Sequence, residues 1–160
     1  MKVIDAINEV DKLKPNMYEL PEKIKWLSRL DVRIFQEVLL KYELSAEEMA
    51  PFLVETEESE TDEQEHWEAE LALELEHRPV KKRPQLEFEG YTQDDSEAEL
   101  IVGKPYDEMY VHWLAAQVDW YNMEYESFNN DNAMFEAVYA RFWNAFNSTH
   151  RAYGARKIYY

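Results

Sequence analysis

Residues 105–150, PYDEMYVHWLAAQVDWYNMEYESFNNDNAMFEAVYARFWNAFNSTH, constrain the fold more than any other part of the chain, because they hold 12 of its 23 aromatic side chains. Leu114, Val118, Tyr121, Tyr125, Phe128, Phe135, Tyr139, Phe142 and Phe146 recur at spacings of three, four and seven, which places them on one side of an α-helix. Met109, Trp113, Ala116, Trp120 and Met123 form a second stripe beside the first, so the apolar face is too wide for a coiled-coil seam and needs cover on more than one side. Trp113 and Trp120 are expected to be mostly buried.

Asn129, Asn130, Asp131 and Asn132 interrupt this pattern. Such residues cost up to about 0.7 kcal/mol each inside a helix and are favoured where one begins. We read a break there, with one helix from Pro105 to about Ser127 and another from about Asp131 to Ser148, forming an antiparallel hairpin. The heptad phase runs through the break with Asn132 on the stripe, so a single uninterrupted helix of about 40 residues is the other arrangement compatible with the pattern.

Upstream, Ile4, Ile7, Val10 and Leu13 recur every three residues before Pro15, which predicts a short amphipathic helix over Val3–Lys14. Pro21 suits a first helical position, with Glu22 near the positive end of the helix dipole. Ile24, Leu27, Leu30, Ile34, Phe35, Val38 and Leu39 then mark a longer helix to about Tyr42, with Trp26 off its central line. Ser45 and Glu48 fit a capping box. Trp67, Leu71 and Leu75 give residues 61–76 a narrow helical stripe. Leu86 and Phe88 alternate, and with Leu100, Ile101 and Val102 they could pair as a small β-hairpin. The expected fold is all-α: a small helical bundle with an aromatic-rich C-terminal helical hairpin. Residues 1–44 and 86–150 would form the helical core domain, 45–85 an acidic insertion, and 151–160 a basic, aromatic C-terminal tail.

Charge narrows the function. The net charge of −17 argues against nonspecific nucleic-acid binding, which needs clustered Lys and Arg. Residues 45–76 hold 13 Asp and Glu and no Lys or Arg, a composition expected of a solvated insert or of a docking surface for a basic partner. The N-terminal residues lack the apolar core of a signal peptide, and no run approaches the ~20 apolar residues of a membrane helix. The expectation is a soluble protein used inside a cell.

Catalytic chemistry finds no foothold. The chain has no cysteine, three scattered glycines and no nucleophile-elbow motif. His112 has a carboxylate one turn away, Glu108, and a single Glu/His pair is half a metal site at most. The expectation is a non-enzymatic protein with no catalytic, metal or cofactor site. The tail RAYGARKIYY is the candidate partner-binding segment: Arg151, Arg156 and Lys157 supply positive charge, and Tyr153, Ile158, Tyr159 and Tyr160 supply anchors of the kind enriched in binding hot spots.

Five elements of the second half also carry a resemblance: Leu100–Val102, Pro105–Tyr110 (PYDEMY), Asn122–Asn130, Met134–Phe142 and Asn147–His150. With the N-terminal KPNMYELPEKIKWLSRLDVRIFQEVL and the FEGY at Phe88–Tyr91, they resemble a family of head-to-tail connector proteins of tailed phages and prophages of Gram-positive hosts. The family pattern is KPNxYxxxxxIxWLSxLDxxIxxEV, FxGY, an LLVP-like run, PYD(E/D)xY, NGEYxxYNN and MFxxxYxxF ending near N-x-T-H. The likeness covers about 110 of the 160 residues. Met123 replaces the family's glycine, which weakens the case for a sharp bend there, and Gly103 replaces its proline; residues 45–82 look like an insertion.

The resemblance implies a small all-α adaptor that forms a cyclic ring below the portal and helps to create the tail attachment site, without catalytic residues. Its implied partners are the portal protein, a tail-side connector or stopper protein and copies of itself, with no specific nucleic-acid or membrane binding. Its implied location is the virion, and the host cytoplasm during assembly. A reading from another class is a phage-encoded acidic protein that mimics DNA and occupies a basic groove of a host or phage partner. Such a mimic needs carboxylates spaced like phosphates on a rigid face, whereas 13 of this chain's acids crowd into residues 45–76.

Overall fold

The computed structural model describes residues 1–54 and 84–153. Among the described residues the fold is all-α, with four α-helices in one compact unit and a single helical turn in another, three short 3₁₀ turns, isolated β-bridges and no sheet. The chain divides into two compact units, one made of Met1–Leu44 with Phe88–Tyr160 and the other of Ser45–Glu87. The expected helix over residues 61–76 lies outside the described residues.

In the first unit, α1 spans Val3–Leu13 and buries Val3, Ala6, Ile7 and Val10. Asp5 accepts from the Lys2 N–H at 3.3 Å, satisfying a donor that helix starts otherwise leave unmet. Pro15 follows the last turn and cannot continue it. Helix α2 spans Leu20–Glu37, with Pro21 in its first turn and Glu22 accepting from the Glu19 N–H at 3.0 Å. It ends earlier than its apolar pattern predicts. A 3₁₀ turn at Leu39–Lys41 tightens the chain and delivers Tyr42 in an extended conformation, where it bridges Ala152.

In the second unit, α3 is one turn, Ala46–Met49, with the expected capping box: Ser45 Oγ accepts from the Glu48 N–H at 3.3 Å, and Glu48 Oε2 from the Ser45 N–H at 2.8 Å. Back in the first unit, helices α4 (Glu108–Tyr121) and α5 (Tyr125–Thr149) form the aromatic hairpin.

The hairpin breaks at residues 122–124, not at 129–132. Met123 adopts φ +61 and closes a Schellman motif: its N–H donates to Trp120 O at 3.1 Å, and the Glu124 N–H to Asp119 O at 2.9 Å. A left-handed residue at this place is usually glycine; here methionine adopts it, so the expectation that Met123 weakens a bend is corrected. Asn129, Asn130, Asp131 and Asn132 are interior residues of α5. Asn129 and Asn130 are exposed, so no polar amide has to be buried at them, and Asp131 is held by Lys14.

Helix α4 is buried nearly all round: Met109, Tyr110, Val111, Leu114, Ala115, Ala116, Val118 and Asp119 all lie inside. Helices α1 and α2 pack on it, and α5 packs on it as well. Helix α5 buries only Phe135, Val138 and Phe142 of its 25 residues. Two further expectations are corrected. Residues 86–88 do not pair with 100–102; Leu86 bridges Leu53, and Glu99 bridges Lys2. Trp120 is half exposed, because it lies at the hairpin tip with Tyr125 and Phe128 beside it at 5.8 and 5.1 Å and no described helix over it.

Candidate functional site: a docking end on a polar-locked bundle

The polar residues of the sequence motifs meet inside the first unit. Asp31, on α2, is fully buried, with no cation paired to it among the described residues. Its Oδ1 accepts from Tyr110 Oη at 2.5 Å, and its Oδ2 from Tyr91 Oη at 2.6 Å and from the Ile101 N–H at 3.1 Å. Tyr110 Oη accepts in turn from the Val102 N–H at 2.9 Å. Burial pushes the Asp31 carboxyl up to about 6, against the three donors that favour its ionised form. Burial and the adjacent carboxylate push both tyrosine hydroxyls up. One carboxylate thus ties α2 to the 91–101 segment and to α4.

Gly90 makes this possible. It adopts φ +99, and a Cβ there would stand 2.0 Å from Ser28 Oγ. The same Ser28 Oγ accepts from the Tyr91 N–H at 2.9 Å, so close backbone approach aims Tyr91 at Asp31.

A second polar lock joins the α1–α2 connection to the hairpin. Lys14 Nζ bridges Asp119 and Asp131. The Asp119 carboxyl is held above its usual range by burial and by the neighbouring Asp131, with Lys14 opposing. For Lys14 itself burial acts downward, and the hydrogen bonds to both aspartates outweigh it, so its ammonium is stabilised. Lys23 pairs with Asp11 at 2.6 Å, and Tyr18 Oη donates to Asn122 Oδ1 at 2.9 Å. Among the described residues no buried side-chain polar atom lacks a partner. The motif polar groups are spent on the fold.

What these locks assemble is an end of the bundle rich in exposed aromatic and apolar surface. Trp26 stacks on Tyr121 at 5.1 Å and meets Tyr18 edge-on at 5.2 Å, while its carbonyl accepts from Trp113 Nε1 at 3.0 Å. The outer faces of this layer are open: Trp120, Tyr121, Met123 and Tyr125 are each about half exposed or more, and Met17 is 98% exposed. Exposed aromatic clusters of this kind mark contact surfaces. The heptad pattern placed Trp120 and Tyr121 in the core; the signal that could have found them is Asn122, a helix-ending residue immediately after.

Of the sequence-predicted tail, residues 151–153 are described, and they follow the C-terminal end of α5, opposite the hairpin turn. The Arg151 carbonyl accepts from the Glu43 N–H at 2.8 Å, and the Tyr153 N–H donates to Lys41 O at 2.8 Å. Arg151 and Tyr153 are exposed; Arg156, Lys157, Tyr159 and Tyr160 lie outside the described residues. His112 and Glu108 form no pair, because Glu108 takes Arg141 at 2.7 Å. No group of three or more metal-ligating side chains is present among the described residues, and no described helix is long and apolar enough to cross a membrane.

No family model, no curated protein and no solved structure matches the chain. The resemblance to phage connectors therefore rests on the combination of motifs alone.

Proposed function

We propose that this chain is a non-enzymatic virion structural protein, a head-to-tail connector that forms a ring below the portal and helps to create the tail attachment site. The observation that carries the reading is the concentration of exposed apolar and aromatic side chains, Met17, Trp120, Tyr121, Met123 and Tyr125, at the end of the bundle where the hairpin turns. Apolar rings half open to water favour a protein partner. The motif residues support it in a second way: Asp31, Tyr91, Tyr110 and Lys14 hold helices together, which suits a subunit whose work is contact and not chemistry.

On this reading the partners are the portal, a tail-side stopper and neighbouring copies, and the protein resides in the virion after assembly in the host cytoplasm. The net charge of −17 would repel a duplex passing through the ring channel, so an adaptor need not bind DNA. The test is mass by light scattering, for the chain alone and mixed with a tailed-phage portal protein. A complex carrying many copies per portal is expected; two non-interacting species refute the reading. A DNA mimic would instead compete with duplex DNA for a basic protein and leave the portal alone.

A further inference from the structure

Exposed apolar surface is concentrated at one place. Of the ten large apolar or aromatic side chains exposed among the described residues, seven belong to residues 13–20 and 120–125, the connection between α1 and α2 and the turn of the hairpin. The two segments adjoin: Tyr18 Oη donates to Asn122 Oδ1 at 2.9 Å, and the Tyr18 and Tyr121 rings lie 6.1 Å apart. Trp120 stays 50% exposed with Tyr125 and Phe128 packed beside it, so these rings meet water as a group.

Charge selects what can cover them. Residues 11–25 and 119–131 hold seven acids, four lysines and no arginine. Lys14 and Lys23 are taken by Asp119, Asp131 and Asp11, leaving Lys12 and Lys25. Glu19, Glu22, Glu124 and Glu126 flank the exposed rings, are themselves exposed, and pair with no cation among the described residues. Such a rim repels the phosphates of nucleic acids and anionic lipids and attracts cations. A guanidinium suits it better than an ammonium: it lies flat on indole and phenol rings, is more weakly hydrated, and takes a carboxylate through two parallel N–H bonds. The molecule makes this combination within itself, where the Arg33 guanidinium stands 5.8 Å from the Tyr139 ring centre while its Nε donates to Glu37 at 3.0 Å.

We infer that the aromatic end binds an arginine-bearing segment of another protein, whose guanidinium groups cover Trp120, Tyr121 and Tyr125 while pairing with Glu124 and Glu126. Apolar side chains between the arginines meet Met17 and Met123. The inference goes beyond the connector reading and does not rest on it, since neither ring formation nor the portal enters.

The test is fluorescence anisotropy of a labelled synthetic peptide that alternates arginine and leucine, titrated with the full chain at about 0.15 M salt, where long-range attraction to the net charge is screened. Matched peptides carry lysine or glutamate in place of arginine. Saturable binding of the arginine peptide is expected, with the lysine peptide about fivefold weaker and the glutamate peptide unbound. Glu124→Gln with Glu126→Gln, and separately Trp120→Ala, should each weaken the arginine peptide about tenfold. A control for bulk charge removes as many acids from the acidic segment, Glu57→Gln with Glu58→Gln, and should change affinity by less than about twofold. No binding of the arginine peptide, equal binding of the lysine peptide, or an equal loss in the control overturns the inference. So does self-association of the parent in sedimentation velocity that Trp120→Ala abolishes, which would assign the end to a second copy. Circular dichroism melts check that each variant folds; should Trp120→Ala not fold, Tyr125→Ala takes its place with the same expectation. The portal has no part in these readouts, so failure here leaves the connector reading standing, and failure of the portal test leaves this inference standing.

Discussion

Replacing Asp31 by Asn should change how stability depends on pH more than any other single substitution. The carboxyl is fully buried, its partners are two tyrosine hydroxyls and one backbone N–H, and burial raises it to about 6 from the 3.8 of a solvated aspartate. The folded state thus holds its proton more tightly than the unfolded chain, and the contribution to stability is fully present below about pH 4. It is lost as pH rises through about 6. A shift of this size corresponds to about 3 kcal/mol over the whole range.

With a net charge of −17 the chain approaches neutrality in acid, so the accessible window is about pH 5 to 8. Linkage then leaves on the order of 1 kcal/mol between pH 5 and 7. Urea unfolding of parent and Asp31→Asn at each pH isolates this group, because every other carboxyl cancels in the difference. The parent should lose on the order of 1 kcal/mol relative to the variant over that interval. A difference that is flat with pH, or that grows in the parent's favour, would refute this reading of Asp31.

Three further sets of substitutions probe the architecture. Met123→Gly should stabilise the protein by about 1 kcal/mol in urea unfolding, since glycine takes φ +61 without the cost borne by methionine and Met123 is 73% exposed; a loss would contradict the Schellman turn. Gly90→Ala should cost at least about 2 kcal/mol, because its Cβ would meet Ser28 Oγ at 2.0 Å where φ is +99; a thermal midpoint equal to the parent's would sink this. Trp113→Ala should cost about 3 kcal/mol by removing the contact with Phe135 and the hydrogen bond to the Trp26 carbonyl, whereas Trp120→Ala should cost about 1 kcal/mol. Equal losses at the two tryptophans would contradict the open end.

The helical class and the position of α1 were readable because Val3–Leu13 combines a clean apolar period with Pro15 behind it. The hairpin was readable as a hairpin, but its turn was displaced by about seven residues. Propensity pointed to the Asn-rich stretch, whereas tertiary contacts keep that stretch helical: Asp131 is drawn to Lys14, and Phe128 and Phe135 on either side pack against Trp120 and Trp113. The true turn carries no glycine, so its left-handed residue has no local signature. Trp113 and Trp120 share one heptad stripe, yet only Trp113 lies deep enough to meet α2; where a bundle ends is a property of neighbouring helices, which periodicity does not report. The polar locks were present as motif residues, but the convergence of Ser28, Asp31, Tyr91 and Tyr110 depends on contacts between residues 60 to 79 positions apart in sequence.

The proposed role as a ring-forming connector is open to electron microscopy of a tailed-phage portal protein purified with and without this protein. The expected result is an added layer of cyclic symmetry at one end of the portal. Portal particles indistinguishable in the two preparations, with this protein present in excess, would contradict it.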